Sequence, residues 1–585
     1  MSLTNGVQQN GLHQDGSSAY KIADSPLGTR RPLRVVCIGA GFSGLLMAIV
    51  FEEKMRNQNI TFQIYESNND LGGTWLVNRY PGCQCDIPAH NYAYSFEANP
   101  NWPNYYASSE QIFDYLKGVA NKYNCGTYIK YQSTVKSANW NEASGKWELK
   151  VHDLERDTEF TDSPDILINA GGLLNNWKWP EIAGIETFQG KLMHSAHWDQ
   201  EYDFNDKKVA VIGIGSSAIQ ILPQLATKAK NVTSFVRSKT WISPEGIVEP
   251  EKGDPKMDKN QYYDAEELKR FKEDPKYLQE HRRILADRRI RNFKSSMAGS
   301  EAQRNADAFY RKTMIERLGD TEKGKDIANW LLPDFPVGCR RVTPGPGFLE
   351  SLVRDNVNTL WDNIHSITET GIKTKDGRDI EFDVICCATG FDTTFRPRFP
   401  VVGLNGIELA KKWAENEPEC YFGTTIPDFP NYFTFIGPNS PISNGSLVQA
   451  IQMTGVYISQ CIEKIQTQGI KSFAVNAKVT SEYNEHTQEY LKGTVWTAPC
   501  SSWYKRGTKD GRVVAIYAGS TYHFIESLRK PRWEDYDIEY FSKNRFAFLG
   551  NGFTQREARD ETVADTQTLD FDEYWNLMVL PDIYG

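Results

Sequence analysis

The sequence is short of several things, and each shortage closes a class. It has no uninterrupted apolar run of membrane-spanning length, about 20 residues. The longest candidate, residues 35–51, reads VVCIGAGFSGLLMAIVF, and three glycines break it. A strand, a turn and a helix fit it better, so no membrane span is expected. A secretory signal is also missing: residues 1–30 are polar and Gly/Ser-rich, which predicts a flexible tail. Positive charge is in deficit, with 66 Lys and Arg against 75 Asp and Glu, a net −9. That balance argues against nucleic acid or an anionic membrane as the main partner. The ten cysteines are scattered, without zinc-like spacing and without a CxxC pair. The expectation is no metal site, reduced thiols and a cytoplasmic protein.

What is present is a chain of 585 residues, too long for one compact core. Aromatics are plentiful, with 15 Trp, 28 Tyr and 29 Phe, a supply that suits flat ligands as well as large cores.

Residues 34–38, RVVCI, read as a β-branched strand. Gly39-Ala40-Gly41-Phe42-Ser43-Gly44 follows and opens a helical pattern. This is GxGxxG between strand and helix. Its first glycine permits a tight turn, the second lets backbone approach a pyrophosphate, and the third packs helix on strand. The next strand, TFQIYE, ends in Glu66, about 20 residues on, where a carboxylate accepts from ribose hydroxyls. A dinucleotide site is expected here. Gly72-Gly73-Thr74-Trp75 and Tyr80-Pro81-Gly82 predict sharply bent backbone, and Asp86 after them reads as a turn cap.

A polar hairpin, 146–152 and 157–160, leads into the apolar strand Asp165–Gly172. The same arrangement recurs at Asp383–Gly390, after a second hairpin. The echo implies two related nucleotide-binding units, each closed by such a strand. A second Gly loop, Gly213-Ile214-Gly215-Ser216-Ser217-Ala218, again lies between strand and helix. Ala in the third place is within the fingerprint. Here the following strand ends in Arg237, with Ser238 and Lys239 behind it. A cation at that point suits a 2′-phosphate, so NADP is expected over NAD.

Residues 255–330 are rich in Glu, Lys, Arg and Ala and predict a helical insertion with solvated charged faces. Arg340-Arg341 follow in a Pro- and Gly-rich loop. A core strand is expected within 423–437 and a helix from about Leu447. The segment 531–585 shows no clear periodicity.

These features together resemble the Baeyer–Villiger monooxygenases, FAD- and NADPH-dependent flavoproteins of class B. Phe188-x-Gly190-xxx-His194-xxx-Trp198-Asp199 is similar to the family fingerprint FxGxxxHxxxW[P/D]. Gly72-Gly73-x-Trp75-xxxx-Tyr80-Pro81-Gly82-xxx-Asp86 resembles a second one, and the two Gly loops flank the first. The likeness runs from about residue 31 to about 525. NAGG at 169–172 and Arg340 depart from the commoner ATG and Lys.

The resemblance implies an α/β fold of two Rossmann-like domains, for FAD and for NADP, with a helical insertion in the NADP domain. The boundaries expected are 1–30 tail, 31–172 and 386–530 FAD domain, 173–240 and 337–385 NADP domain, 241–336 insertion, 531–585 extension. It implies that Gly39, Gly41, Gly44 and Glu66 hold the ADP part of FAD. Thr74, Trp75, Gln84, Asp86, Tyr92 and Asp392 lie about the flavin, and the Val135 backbone meets the adenine. Gly213, Gly215, Ser216, Ser217, Arg237, Ser238 and Arg340 hold NADP, and Trp503 meets its nicotinamide half. Arg341 becomes the active-site arginine, oriented by Asp86. His194 and Trp198 couple domain motion at the junction. The implied reaction uses NADPH and O2 to insert oxygen beside a ketone carbonyl through a C4a-peroxyflavin. N- or S-oxygenation is the alternative, and the Trp198 fingerprint disfavours it.

Overall fold

A computed structural model describes residues 20–243, 262–361, 363–555 and 557. The larger compact unit comprises Pro32–Glu463 and Ser472–Ile538. Two five-stranded parallel sheets organise it. The first runs, edge to edge, Tyr432–Thr434, Ile166–Asn169, Leu33–Ile38, Ile60–Tyr65, Ile129–Lys130. The second runs Lys191–His194, Val384–Cys387, Lys208–Ile212, Asn231–Val236, Val357–Trp361. In each sheet the echoed strand lies beside the strand that feeds the Gly loop, Val36 opposite Leu167 and Val211 opposite Cys386.

Both strands of each such pair are nearly all Val, Ile, Leu and Cys and are buried on both faces, as parallel strands covered by helices must be. A four-stranded sheet, Val401–Val402, Ser133–Asn141, Lys146–Asp153, Thr158–Asp162, packs Trp140 and Trp147 against Tyr432 and Leu167. The expected hairpin forms its last two strands.

The insertion is helical: Ala265–Glu273, Pro275–Arg291, Glu301–Leu318 and Glu322–Leu331. Asp274 accepts from the backbone N–H groups of Lys276 and Tyr277, with Pro275 at the first helical position. Residues 244–261 of this stretch lie outside the described residues. Not every charged group there is a solvated face; Arg317, for one, pairs with Glu350 at 2.7 Å with its side chain buried. Arg282 is 9% exposed and donates to the carbonyls of His90, Tyr94 and Ser95, tying the insertion to the first nucleotide-binding half. Within 533–538, Asp535 and Tyr536 likewise enter this unit's core. Tyr536 stacks on Phe473 with ring centroids 4.0 Å apart, and Asp535 accepts from the Tyr421 hydroxyl.

The smaller unit gathers residues 20–31, 464–471 and 539–557. Within it Leu27 N–H donates to the Phe553 carbonyl at 2.7 Å and Asn551 N–H to the Ser25 carbonyl at 2.9 Å. The expected free tail is therefore corrected over 25–27, which backbone pairing holds; residues 1–19 and 558–585 lie outside the described residues. Among the described residues no helix is long and apolar enough to cross a membrane.

Candidate functional site

The first Gly loop leaves the strand Leu33–Ile38 by a turn at Gly39, whose φ is 97°. A Cβ there would stand 2.9 Å from the Ala170 carbonyl oxygen. At Gly44 a Cβ would stand 1.9 Å from the Gly39 carbonyl oxygen, so the helix Phe42–Val50 meets the strand with no space for a methyl. Gly41 differs: its nearest obstacle is Gly73 Cα at 3.6 Å, an ordinary contact. Protein packing therefore does not demand a glycine at 41; a ligand needing close backbone approach does.

Beside the loop lies a cavity of about 580 Å³. Gly39, Gly41, Glu66, Thr74, Trp75, Tyr92, Val135 and Asp392 all line it. Glu66, 4% exposed, accepts from Ala40 N–H at 2.7 Å with one oxygen and from Asn68 with the other. Those bonds fix the carboxylate and leave lone pairs for hydroxyl donors. Trp75 Nε1–H donates to the Tyr92 hydroxyl at 3.2 Å, and burial pushes the Tyr92 phenol up. Arg396 and Arg398, not foreseen from the sequence, line the same cavity. Burial pulls Arg398 down while Glu66 and Asp392 oppose it. Gly44, Gln84 and Asp86 stand outside the cavity wall.

The second Gly loop repeats the turn. Gly213 has φ 123°, and a Cβ would meet the Ala388 carbonyl oxygen at 2.4 Å. A Cβ at Gly215 would meet nothing within 4 Å. Gly215 precedes the helix Ser216–Lys228, and no side chain caps that end, so free N–H groups face outward. Ser216 Oγ lies 2.6 Å from Thr343 Oγ1.

Beyond the next strand, Arg340 donates to Ser238 Oγ at 3.0 Å and to the Lys239 carbonyl at 3.1 Å. Burial lowers the Arg340 pKa, and the nearby Arg237 charge lowers it further. Lys239 pairs with Asp334 at 3.4 Å. Among the described residues no carboxylate pairs with Arg237 or Arg340. Two close guanidiniums beside a hydroxyl form a cradle for a multiply charged anion.

Arg341, the next residue, turns to the other half. Its Nε and Nη2 donate to the two oxygens of Asp86, each at 2.7 Å. The Asp86 charge raises the Arg341 pKa against burial, so the guanidinium stays charged. The turn-cap reading of Asp86 gives way to this fork. The buried Tyr504 phenol lies near the same guanidinium; burial raises its pKa and the Arg341 charge opposes that, and Trp503 meets its ring edge-on with centroids 4.7 Å apart.

The Tyr80-Pro81-Gly82 turn has a packing role: Tyr80 O–H donates to Gln220 Oε1 at 2.9 Å, and Gln220 Nε2–H donates to the Gln84 carbonyl at 3.0 Å. Gln220, on the helix after the second Gly loop, thus grips the segment carrying Asp86. No motif announced Gln220 or Tyr504.

In the fingerprint Phe188–Asp199, a Cβ at Gly190 would meet Phe188 and the Asp383 carbonyl, so that glycine serves packing. His194 is fully buried on the edge strand of the second sheet. Its ring stacks on Trp177 with centroids 4.6 Å apart, and Nε2 lies 3.4 Å from Thr389 Oγ1. Trp177 and Thr389 sit just after the two echoed strands, so His194 bridges the segments that connect the sheets. Burial, helped by His197, pushes its pKa down to about 4. Trp198 stacks on Phe204 instead, a contact within its own half.

One expectation is overturned. Cys339 and Cys500 form a disulfide, with Cα atoms 6.4 Å apart across a separation of 161 residues. Spacing rules see neighbouring cysteines, not pairs that the fold brings together. The other eight cysteines are free and buried.

The flavin-binding monooxygenase-like (FMO-like) family matches residues 32–250. A FAD-binding monooxygenase, tazF, from Aspergillus terreus is 39% identical over 546 residues, covering 93% of this chain and 96% of that one. A Baeyer-Villiger monooxygenase from Streptomyces coelicolor is 30% identical over 517 residues, covering 86% of this chain and 92% of that one. A crystal structure of cyclohexanone monooxygenase from Rhodococcus sp. Phi1 bound to NADP+ shares the fold, with a TM-score of 0.74 at 23% identity. It covers 87% of this chain and all of that one. With two glycine-turn sheets, a charged cradle and both fingerprints in place, the chain belongs to the Baeyer–Villiger family of FAD- and NADPH-dependent flavoprotein monooxygenases.

Proposed function

We propose that this enzyme uses NADPH and O2 to insert one oxygen atom beside a ketone carbonyl, giving an ester or lactone. The observation that carries the reading is the Arg341–Asp86 fork, a permanent cation oriented by a carboxylate on the segment whose Gln84 carbonyl is held by the helix after the second Gly loop.

The residues fit the two cofactors. The Gly39–Gly44 loop and Glu66 hold the adenosine diphosphate of FAD, with Val135 at the adenine end. Thr74, Trp75, Tyr92 and Asp392 face its ring system. Gly213, Gly215, Ser216 and Ser217 hold the NADP pyrophosphate, and Arg237, Ser238 and Arg340 take the 2′-phosphate. When bound, FAD supplies hydride acceptance from NADPH and the activation of O2.

Arg341 then has two tasks. It must stabilise an oxygen anion without protonating it, and guanidinium suits this because it does not deprotonate in proteins. It must also stabilise the oxyanion formed when the ketone carbon is attacked. Asp86 fixes the orientation of its fork, which leaves Nη1 and its hydrogens for the reacting oxygens. Trp503 closes the nicotinamide side.

The test is a panel of cyclic, linear and aryl ketones, with a sulfide beside them, offered to the FAD-loaded enzyme. NADPH consumption and product mass are read together. Ketone-dependent consumption with a product 16 mass units heavier and an ester carbonyl supports the reading. Sulfoxide with no ester from any ketone would move the assignment to heteroatom oxygenation.

A further inference from the structure

The Cys339–Cys500 bond joins two segments that carry the machinery described above. Cys339 immediately precedes Arg340 and Arg341. Cys500 opens the segment Ser501-Ser502-Trp503-Tyr504. Its Cα separation, 6.4 Å, lies in the range a disulfide spans without moving backbone. Both cysteines are buried, at 0% and 2% exposure.

Beyond the disulfide, Tyr504 packs into a buried cluster with Trp496, Val513 and Ile516, Val514 N–H donates to its carbonyl at 2.8 Å, and Arg506 pairs with Glu417 at 2.7 Å; the remaining bonds of the segment are within itself. Lys505 Nζ donates to the carbonyls of Ala498 and Lys509, each at 2.6 Å. Gly507 N–H donates to the Ser502 carbonyl at 2.8 Å, and Ser501 Oγ–H to the Gly507 carbonyl at 2.7 Å. Arg506 occupies left-handed backbone at φ 54°, where a non-glycine residue is disfavoured. Residues 507–510 are exposed. That exposed tip opens locally more easily than a sheet does, while Ser502, Tyr504 and Lys505 behind it are buried. Its covalent tie to the arginine segment is the disulfide.

We infer that Cys339–Cys500 is a redox modification site, a staple that holds the Trp503–Tyr504 segment against Arg340 and Arg341, and that its reduction loosens both. In the reducing direction a dithiol gives up two electrons and two protons; the S–S bond breaks, two thiols form on the protein and the reductant becomes a cyclic disulfide. In the oxidising direction hydrogen peroxide takes two electrons from the two thiols, the S–S bond forms and two waters leave. The consequence for cofactor binding rests on the NADP reading above; the consequence for the loop does not.

The experiment uses the full-length, FAD-loaded protein, oxidised and then treated with dithiothreitol, beside the Cys339→Ser/Cys500→Ser double variant. Alkylation and mass spectrometry count the free thiols in each. Trypsin cleavage after Arg506 and Lys509 reports the loop, and equilibrium binding of NADP+ reports the arginines. The expected result is eight alkylated cysteines before reduction and ten after it in the unfolded wild-type chain. Cleavage in the loop then rises about fivefold or more, and NADP+ affinity falls several-fold. The double variant behaves like the reduced protein and ignores dithiothreitol. Ten free thiols before reduction, or unchanged cleavage after verified reduction, overturns the inference. Faster cleavage with NADP+ bound by neither form leaves the staple standing and defeats the nucleotide reading instead. If the double variant does not fold, the oxidised and reduced wild-type arms decide alone.

Discussion

The two parallel sheets are built alike and end differently. In each, a strand rich in Val and Ile turns at a positive-φ glycine, Gly39 or Gly213, pressed against the carbonyl that closes the echoed strand, Ala170 or Ala388. In each, the neighbouring strand stops beside that turn. At its end the first sheet places Glu66, locked by Ala40 and Asn68, and the second places Arg237 beside Arg340 and Ser238. On the function proposed above, the shared part would make a nucleotide site and the unlike part would decide which nucleotide. Backbone geometry and charge are thus separable in this molecule, and the third position of the loop shows the same. Gly44 has no space for a methyl, whereas Ala218 holds one in the second loop.

The largest effect follows from that contrast. Gly44→Ala would drive a methyl into the Gly39 carbonyl, which the strand and helix hold rigidly. It is expected to yield protein without bound FAD, read as loss of yellow absorbance and a lower Tm. Gly215→Ala meets nothing within 4 Å. It should keep FAD and Tm while weakening NADP+, read by titration. If both variants lose flavin, the two loops are not independent sites and the comparison fails.

Next in size is Arg341→Ala. Loss of a charged donor at a developing oxyanion costs on the order of a hundredfold or more in rate. The variant is expected to keep FAD and to stop making ester. Normal ester formation by it would remove Arg341 from the mechanism.

The features just tested were legible in the sequence because they are local. Strand, GxGxxG and helix occupy consecutive residues, and a terminal Glu or Arg is read by counting on from the loop. The Asp86–Arg341 fork was reached through the family's pattern, since residues alone made Asp86 a turn cap. Gln220, Arg282, Tyr504 and Cys339–Cys500 were not legible at all. Each matters through a partner more than a hundred residues away or in another segment, and hydrophobic periodicity carries no trace of such pairing. Arg282 misled most: one buried arginine in a charged helix looks like its solvated neighbours until its acceptors, three backbone carbonyls, are in view.

A smaller effect sharpens the charge half of the comparison. Arg237→Ala should weaken NADPH by about ten- to a hundredfold, as expected for a lost charged hydrogen bond of roughly 1.5–3 kcal/mol. NADH binding should scarcely change. Equal loss with both would mean that Arg237 does not meet the 2′-phosphate.

The smallest effect concerns acid. Burial holds three histidines below their ordinary 6.5: His90 at about 3, His281 at about 4 and His194 at about 4. The first two sit where the insertion meets the segment after the first Gly loop, and their rings lie 5.1 Å apart. The third sits on the edge strand of the second sheet. Unfolding raises each pKa back towards 6.5, so the unfolded chain binds more protons between the folded and unfolded values. Their contribution to stability is therefore complete above pH 6.5 and is lost as pH falls towards 4. Thermal melts from pH 7 to 4.5 should show Tm falling steadily, and His194→Asn should flatten the slope only partly, because the pair beside the insertion still titrates. A variant slope that vanishes would place the whole acid sensitivity on the second sheet, and the two halves would then differ in more than the charge at the end of a strand.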